Sequence, residues 1–427
     1  VWYSSVAANL ADGKLFENPF FGIPTADHPP VTVLVLAPAS WLFDSTWSQR
    51  MTMVLLGTAT IALVGLVGRR LAGPVAGVAA AVLAAASPSL WINDTLLMSE
   101  TPTALAVAGL ILVGANLAER PSMRTGLLAG ALCGLAALTR AETGLFLPLM
   151  VWPLLPRADV GWRQRLWRIT AASLATAAVI APWSLFNLTR FDEPVPISTN
   201  DGLTLVGANC DETYRGPITG GWVIDGCIDV VFESLDDDKP PLGPGDEAGV
   251  DACVDEAQTR EPCHDASTVS RIMRGDALDY IGDNLGEMPR VQLARHGRVW
   301  GWWRPDQTAA AGVFEGRDPW ASWASYYVTW AMLPLAAWGA VAARRRGASL
   351  VPYGAALATV LITTTLFYGL VRFRVPWDVA ACVLGGVAVA DGLERLRRGS
   401  VGPAPSPDAD PASPGAPPPS PVPSTPR

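Results

Sequence analysis

Charged residues are scarce in this chain, and that scarcity argues against a soluble architecture. Of its 427 residues, 50% are hydrophobic and only 16% are charged, and the mean hydropathy is +0.27. Soluble domains carry about a quarter charged residues. An excess of positive charge is also lacking, because the formal net charge is −8. The composition therefore predicts a membrane protein and excludes a nucleic-acid partner.

Cysteine motifs typical of metal sites are lacking as well. Two of the six cysteines, Cys133 and Cys382, lie inside apolar segments, where they are expected to pack as small hydrophobic residues. The other four share one polar segment; they are Cys210, Cys227, Cys253 and Cys263. No CxxC spacing occurs among them, so disulfides in an oxidising compartment are favoured over zinc. The shortest loops are closed by the pairs Cys210–Cys227 and Cys253–Cys263.

Long apolar segments fill most of the remaining chain. A helix that crosses a bilayer needs about 20 apolar residues. Nine segments approach that length: 49–67, 72–90, 101–118, 126–139, 143–155, 169–186, 321–343, 350–370 and 376–391. The segments 126–139 and 143–155 are short and are expected to pack inside a bundle. The predicted fold class is therefore an all-α polytopic membrane protein.

Arginine clusters between these segments predict the orientation. They fall at 69–70, 120–124, 157–168, 344–346 and 395–398, and the positive-inside rule places them in the cytoplasm. The polar segment 187–320 then lies outside, in agreement with its cysteines. The apolar segment 31–43 follows two prolines and is expected to lie along the outer interface, because a crossing there would invert every later cluster.

Five regions follow from this topology. Residues 1–48 form an outer loop with the interfacial helix, and residues 49–186 form six spans. Residues 187–320 form an extracytoplasmic insert of mixed structure that carries the disulfides. Residues 321–392 form three more spans, and residues 393–427 form a disordered, proline-rich cytoplasmic tail.

Four short outer segments hold polar groups beside the membrane. They contain Asp27 and His28, Glu100, Arg140 with Glu142, and Arg372 with Arg374. Arginine binds phosphate oxygens through two parallel hydrogen bonds, so these arginines are candidates for a phosphate site. Structural alternatives remain open: Asp27 could cap a helix, Glu100 could lie in a helix first turn after a Ser99 cap, and Arg140 could only pair with Glu142.

Taken in order, several motifs resemble one family of membrane enzymes. They are Tyr3 with Ala8-Asn9-Leu10, His28-Pro29-Pro30, Ser99-Glu100, Thr139-Arg140-Ala141-Glu142, Ala181-Pro182-Trp183, Gly207-Ala208-Asn209-Cys210 and Arg372-Phe373-Arg374. This set resembles the GT-C superfamily glycosyltransferases, specifically the family-39-like proteins related to protein mannosyltransferases and aminoarabinose transferases. The resemblance implies a GT-C-like helical bundle.

The resemblance also implies an activity. Such enzymes move a sugar, with inversion, from a polyprenyl-phosphate donor to an acceptor at the extracytoplasmic face of a membrane. For this chain the expected membrane is a bacterial plasma membrane. The acceptor is a cell-envelope glycan, lipid or protein. In the family the principal carboxylate base precedes the tyrosine matched by Tyr3. The sequence is therefore expected to be N-terminally truncated and to lack that base.

Roles for individual residues follow from the same resemblance. Glu100 matches a second catalytic acid, and Tyr3, Glu142 and Asn209 fall in substrate-binding motifs. Asp27 and His28 match a segment that shapes the donor site and are candidate ligands for a divalent metal. Arg140, Arg372 and Arg374 are candidates for neutralising the departing phosphate.

Two other functions remain as alternatives. A transporter or flippase of a lipid-linked saccharide would show charged or broken helices near the midplane and internal repeats, and the sequence shows neither. An inactive membrane scaffold is the third hypothesis. A carboxylate upstream of Val1 would favour the enzyme over both.

Overall fold

The part of the chain that the structure describes is almost entirely helical. In this computed structural model the described residues are 2–20, 22–156, 161–224, 226–227 and 265–400, with side chains up to Arg398. Within them no strand forms, and one isolated bridge joins Glu17 and Pro24. The predicted pair Cys253–Cys263 and the residues beyond Ser400 lie outside this description. The all-α prediction is confirmed for the described chain.

Sixteen α-helices are described. They are α1 (Trp2–Ala11), α2 (Val31–Phe43), α3 (Thr46–Ala86), α4 (Pro88–Trp91), α5 (Glu100–Glu119), α6 (Met123–Ala137), α7 (Trp152–Leu154), α8 (Trp162–Leu188), α9 (Asn200–Val206), α10 (Asp211–Tyr214), α11 (Ala266–Asp283), α12 (Met288–Trp300), α13 (Pro305–Ala311), α14 (Pro319–Arg345), α15 (Val351–Leu366) and α16 (Val375–Ser400). Short 3₁₀ turns cover Ile92–Thr95, Ala141–Leu145, Leu285–Glu287 and Val371–Arg374.

Five of the described helical segments are long and apolar enough to cross a membrane. They are α3, α5, α8, α14 and the segment Val371–Arg398. Four shorter apolar helical segments accompany them, namely α2, α6, Ala141–Leu154 and α15. These nine elements account for all the predicted spans and the predicted interfacial helix. The chain is thus an integral membrane protein.

Helix α3 bends back on itself and supplies two of the predicted spans. Ala72 and Gly73 leave helical backbone angles, with φ +83° at Gly73, and Pro74 follows. Across the bend Gly65 lies against Ala81 and Gly68 lies against Ala80. In a straight helix residues 65 and 81 would be about 24 Å apart. The boundary predicted between 49–67 and 72–90 is therefore a helical hairpin.

Glycines allow the long helices to pack closely. A side chain at Gly130 of α6 would overlap the backbone of Ala172 in α8. A side chain at Gly339 of α14 would likewise overlap the backbone of Leu384 in α16. Small residues at such contacts let helices approach in lipid, where dispersion and close packing drive association.

Three details differ from the predicted organisation. The expected span at 143–155 is irregular: a 3₁₀ turn is followed by a π-helix over Leu147–Val151, with Pro148 and Pro153 interrupting regular α-helix formation. The predicted tail start at 393 is wrong, because α16 continues to Ser400. The described parts of the insert are helical rather than mixed, comprising α9 to α13.

The arginine-bearing ends of the helices lie together. Arg70 pairs with Glu119 at 2.6 Å, joining the bend of α3 to the end of α5. Next to Arg70, Leu71 packs in one cluster with Ala342 of α14 and Val387 of α16. Arg346 then pairs with Glu394 at 2.8 Å. One end of the bundle therefore gathers cationic residues, and the candidate site lies at the other.

Candidate active site

A cavity of about 380 Å³ lies where several distant segments meet. The residues of its wall come from α1, the turn before α2, the residues just before α5, the 3₁₀ turn after α6, helix α9, the end of α15 and the segment between α15 and α16. Six predicted or neighbouring residues line it: Tyr3, His28, Ser99, Arg140, Glu142 and Arg372. The structure thus brings together residues from five of the seven motifs identified in the sequence.

Arg140 connects two carboxylates at the edge of this cavity. Its Nη1 lies 2.7 Å from Oε1 of Glu100, and its Nε lies 2.6 Å from Oε1 of Glu142. Burial disfavours the charged guanidinium, but Glu142 and Glu100 outweigh it and raise the pKa of Arg140. The arginine is therefore a permanent cation in the cavity wall.

Arg372 extends the same line of charges. Its Nε lies 4.0 Å from Oε1 of Glu100, and its Nη1 lies 3.3 Å from Oε1 of Glu315. Arg317 closes the line, with Nε 2.9 Å from Oε2 of Glu315. Three acids and three arginines thus alternate in the order Glu142, Arg140, Glu100, Arg372, Glu315 and Arg317. Each internal acid has two cationic partners, so a ligand can displace one contact without leaving a buried charge unpaired.

Aromatic side chains support both arginines of the cavity. The guanidinium of Arg140 lies 5.3 Å from the ring centre of Phe373, and that of Arg372 lies 6.0 Å from it. Nη2 of Arg372 donates to the hydroxyl of Tyr368 at 3.0 Å. Such contacts hold the two cations on one side of the cavity.

The opposite part of the wall comes from the N-terminal region. The rings of Tyr3 and His28 are stacked, with centroids 4.9 Å apart. Burial, together with the charges of Arg372 and Arg140, lowers the pKa of His28 to about 3. Burial also raises the pKa of Tyr3 to about 12. Both side chains are therefore neutral hydrogen-bonding groups near pH 7.

Helix α9 of the insert covers the cavity. Its residues Asn200 and Asp201 line the wall. Asp201 accepts from Nε of Arg274 at 3.0 Å and from Oγ of Ser270 at 2.9 Å, both in α11. The insert therefore supplies a polar part of the cavity wall that is anchored on α11.

Glu100 lies behind the arginines rather than in the cavity lining. Its side chain has no exposed surface. Its Oε1 faces Arg140 and Arg372, and its Oε2 has no hydrogen-bond partner in the described chain. In this position Glu100 anchors the two cations, and its catalytic role stays a prediction. Ser99 does not cap α5 with its side chain.

Three predicted binding residues lie outside this cavity. Arg374 is fully buried and bonds to Asp378 at 3.0 Å, the carbonyl of Val299 and Ser325. Every nitrogen of its guanidinium is engaged in these contacts, and its phosphate role stays a prediction. Asn209 is buried and accepts from Arg295 at 2.8 Å, and its substrate role also stays a prediction.

Asp27 is the third of these residues. Its carboxylate accepts from Thr199 at 3.3 Å, and burial raises its pKa. This contact joins the N-terminal region to the insert. His28 lines the cavity whereas its neighbour Asp27 does not, and their role as metal ligands stays a prediction. Among the described residues no group of three or more His, Cys, Asp or Glu side chains is placed to hold a metal ion.

The disulfide Cys210–Cys227 is present, as the loop lengths predicted. Cys133 and Cys382 are free and buried, also as expected. Tyr368, Phe373, Glu315 and Arg317 were not recognised as site residues from the sequence. Phe373 and Tyr368 lie within four residues of Arg372 in the sequence, so the arginine motif could have indicated them. Glu315 and Arg317 reach Arg372 only because the loop before α14 folds toward it.

A family model matches the first half of the bundle. Residues 27–186 match the model described as dolichyl-phosphate-mannose-protein mannosyltransferase. This segment contains Glu100, Arg140 and Glu142. The match confirms the resemblance to GT-C membrane glycosyltransferases that the motifs carried.

Two solved structures are similar to nearly the whole chain. ArnT from Cupriavidus metallidurans bound to undecaprenyl phosphate is 16% identical with a TM-score of 0.42, covering 93% of this chain and 74% of that one. The same protein in the apo state is 17% identical with a TM-score of 0.36, covering 91% and 72%. At these scores the likeness is only general. No curated protein matches this chain.

Proposed function

We propose that the chain is a membrane glycosyltransferase that takes a sugar from a polyprenyl-phosphate donor and transfers it, with inversion, to an acceptor at the extracytoplasmic face. The single observation that carries the proposal is the pair of arginines, Arg140 and Arg372, on one wall of the 380 Å³ cavity. The family match over residues 27–186 supports the reaction class.

The two arginines suit the leaving group of this reaction. The acceptor oxygen forms a bond to the anomeric carbon while the bond from that carbon to the phosphate oxygen breaks. Negative charge then grows on the phosphate, and cations fixed beside it lower the barrier. Because Glu100 and Phe373 hold both guanidinium groups in place, little reorganisation is needed when that charge develops.

The remaining lining fits sugar hydroxyls. Glu142 and Asp201 can accept hydrogen bonds from them, and neutral His28 and Tyr3 can donate or accept. Apolar side chains of Leu145 and Leu366 line the same cavity and could contact the first isoprene units. The proton of the attacking hydroxyl passes to a carboxylate base, as the family resemblance implies. None of these lining groups is assigned that role.

Binding of undecaprenyl phosphate to the purified protein in lipid nanodiscs tests the proposal. Arg372→Gln and Arg140→Gln should each weaken binding by at least tenfold, since a charge-assisted contact is lost. The matched control is Arg395→Gln, which removes an exposed arginine at the opposite end of the bundle. Equal affinity of all four proteins would refute the phosphate site. Binding without sugar transfer by the full-length natural protein would favour the flippase.

A further inference from the structure

The segment that carries Arg372 lies against the loop closed by the disulfide. The amide of Gly369 donates to the carbonyl of Gly220 at 2.9 Å. One residue before Gly369, the ring of Tyr368 is stacked on that of Trp222, with centroids 6.1 Å apart and an angle of 29°. Both partners from the insert, Gly220 and Trp222, lie between Cys210 and Cys227.

Tyr368 connects the insert to Arg372. Its hydroxyl accepts from Nη2 of Arg372 at 3.0 Å. Its ring meets the edge of Phe373 at 4.9 Å, and Phe373 is the ring beneath both cavity arginines. Tyr368 is 4% exposed, so its ring has little room to turn unless a neighbour moves.

Trp222 is itself held at three points. Its Nε1 donates to the carbonyl of Leu203 at 3.2 Å. The next residue, Val223, donates its amide to the carbonyl of Gly207 at 3.0 Å. Any side chain at position 207 would overlap the Trp222 ring, so glycine there is required by the packing. The disulfide then ties the far end of this loop back to Cys210, three residues after Gly207.

We propose that Trp222 is a positioning residue for Arg372, acting through Tyr368, and that the disulfide Cys210–Cys227 keeps it in place. The inference rests on the proposed function only for its effect on donor binding. An arginine has many rotamers, and its fork must face the phosphate to form two parallel bonds. The aromatic stack selects one rotamer, so the insert influences the phosphate site although neither Trp222 nor the disulfide lines the cavity.

Binding of undecaprenyl phosphate provides the first test. Trp222→Leu and Tyr368→Phe should each weaken binding about five- to tenfold relative to the parent protein. Neither substitution should weaken it further in the Arg372→Gln background, because the effect passes through that arginine. The control is Trp302→Leu, which truncates an exposed tryptophan just after α12. A loss of equal size in both backgrounds would show a general structural effect and would overturn the proposal.

Hydrogen exchange without any lipid provides the second test. In Trp222→Leu and in the double variant Cys210→Ser/Cys227→Ser, amides of the segment 367–374 should exchange at least tenfold faster than in the parent. In Trp302→Leu they should not change. If the double variant does not fold, Trp222→Leu alone decides. Unchanged exchange of this segment in Trp222→Leu would overturn the positioning role, whatever the result of the binding test with undecaprenyl phosphate.

The two tests separate the two proposals. If the parent protein does not bind undecaprenyl phosphate but exchange rises as expected, the proposed function fails and the positioning of Arg372 by the insert stands. If the parent binds and exchange in Trp222→Leu is unchanged, the phosphate site stands and the positioning role fails.

Discussion

Two arginines only one residue apart have opposite surroundings. Arg372 lines the cavity, whereas Arg374 is buried against Asp378, Val299 and Ser325. The motif Arg372-Phe373-Arg374 predicted two phosphate ligands, and the 3₁₀ turn at Val371–Arg374 explains why only Arg372 lines the cavity. With about three residues per turn, side chains two positions apart point in very different directions. The motif located the site, but which arginine faces it depended on this turn.

Substitution of Arg374 should therefore affect folding. Arg374→Gln leaves the buried carboxylate of Asp378 without its cation, which costs about 3–5 kcal/mol. Arg372→Gln should cost less, because Glu100 and Glu315 each keep a second arginine. Thermal unfolding in detergent measures both. The double variant Arg374→Gln/Asp378→Asn should recover part of the loss, and a full loss in the double variant would contradict this account.

His28 should make the protein less stable at acidic pH. Its pKa is about 3 in the folded protein, because of burial and then the charges of Arg372 and Arg140, against about 6.5 in an unfolded chain. Between these values only the unfolded chain binds the proton. Stability therefore falls as pH drops below about 6.5, by at most about 1.4 kcal/mol per pH unit.

The measurement compares unfolding midpoints at pH 7 and pH 5. His28→Phe keeps a ring against Tyr3 and removes the titration, so its midpoint should fall less than that of the parent between the two pH values. Other carboxylates titrate in both proteins and cancel in the comparison. An identical fall in the two proteins would show that His28 is protonated in the folded state.

At the scale of the helices, the apolar runs predicted the elements well. The helix Val31–Phe43 has the predicted bounds, and the bend of α3 lies between two predicted spans. The irregular backbone at 143–155 has a local cause, because Pro148 and Pro153 each lack an amide hydrogen and interrupt the helical ladder. Hydropathy shows which segments can lie in lipid or in a packed interior, but it does not show the hydrogen-bonding pattern of their backbone.

Close helix contacts at this scale depend on single glycines. Gly339→Ala should separate α14 from α16, because the added methyl group would overlap the backbone of Leu384. We expect a lower unfolding midpoint and a loss of about 1–3 kcal/mol, as for other overpacked cores. Gly354 of α15 has open space at its Cβ position, so Gly354→Ala is the matched control and should stabilise by up to about 1 kcal/mol. A similar destabilisation by both changes would show that the contact of Gly339 with Leu384 is not the cause of the loss.

Across the whole molecule, the charges separate by end. The arginines paired with Glu119 and Glu394 lie at one end, and the cavity with Arg140 and Arg372 lies at the other. A site at the extracytoplasmic face is a proposal that combines this separation with the positive-inside rule. The sequence predicted which segments share a side. It could not predict that Glu315 and Arg317 would complete the line of charges, since that contact joins a loop to a residue more than 50 positions away.

Labelling of single introduced cysteines with a membrane-impermeant maleimide tests the orientation. Leu278 is exposed on α11 of the insert, and Arg344 is exposed at the end of α14. In intact bacterial cells expressing the protein, Leu278→Cys should react at once, whereas Arg344→Cys should react only after permeabilisation. Cys133 and Cys382 are buried, and the parent protein reports any background from the remaining cysteines. The reverse pattern would place the arginine cavity on the cytoplasmic side, where a donor carried on the outer leaflet could not reach it.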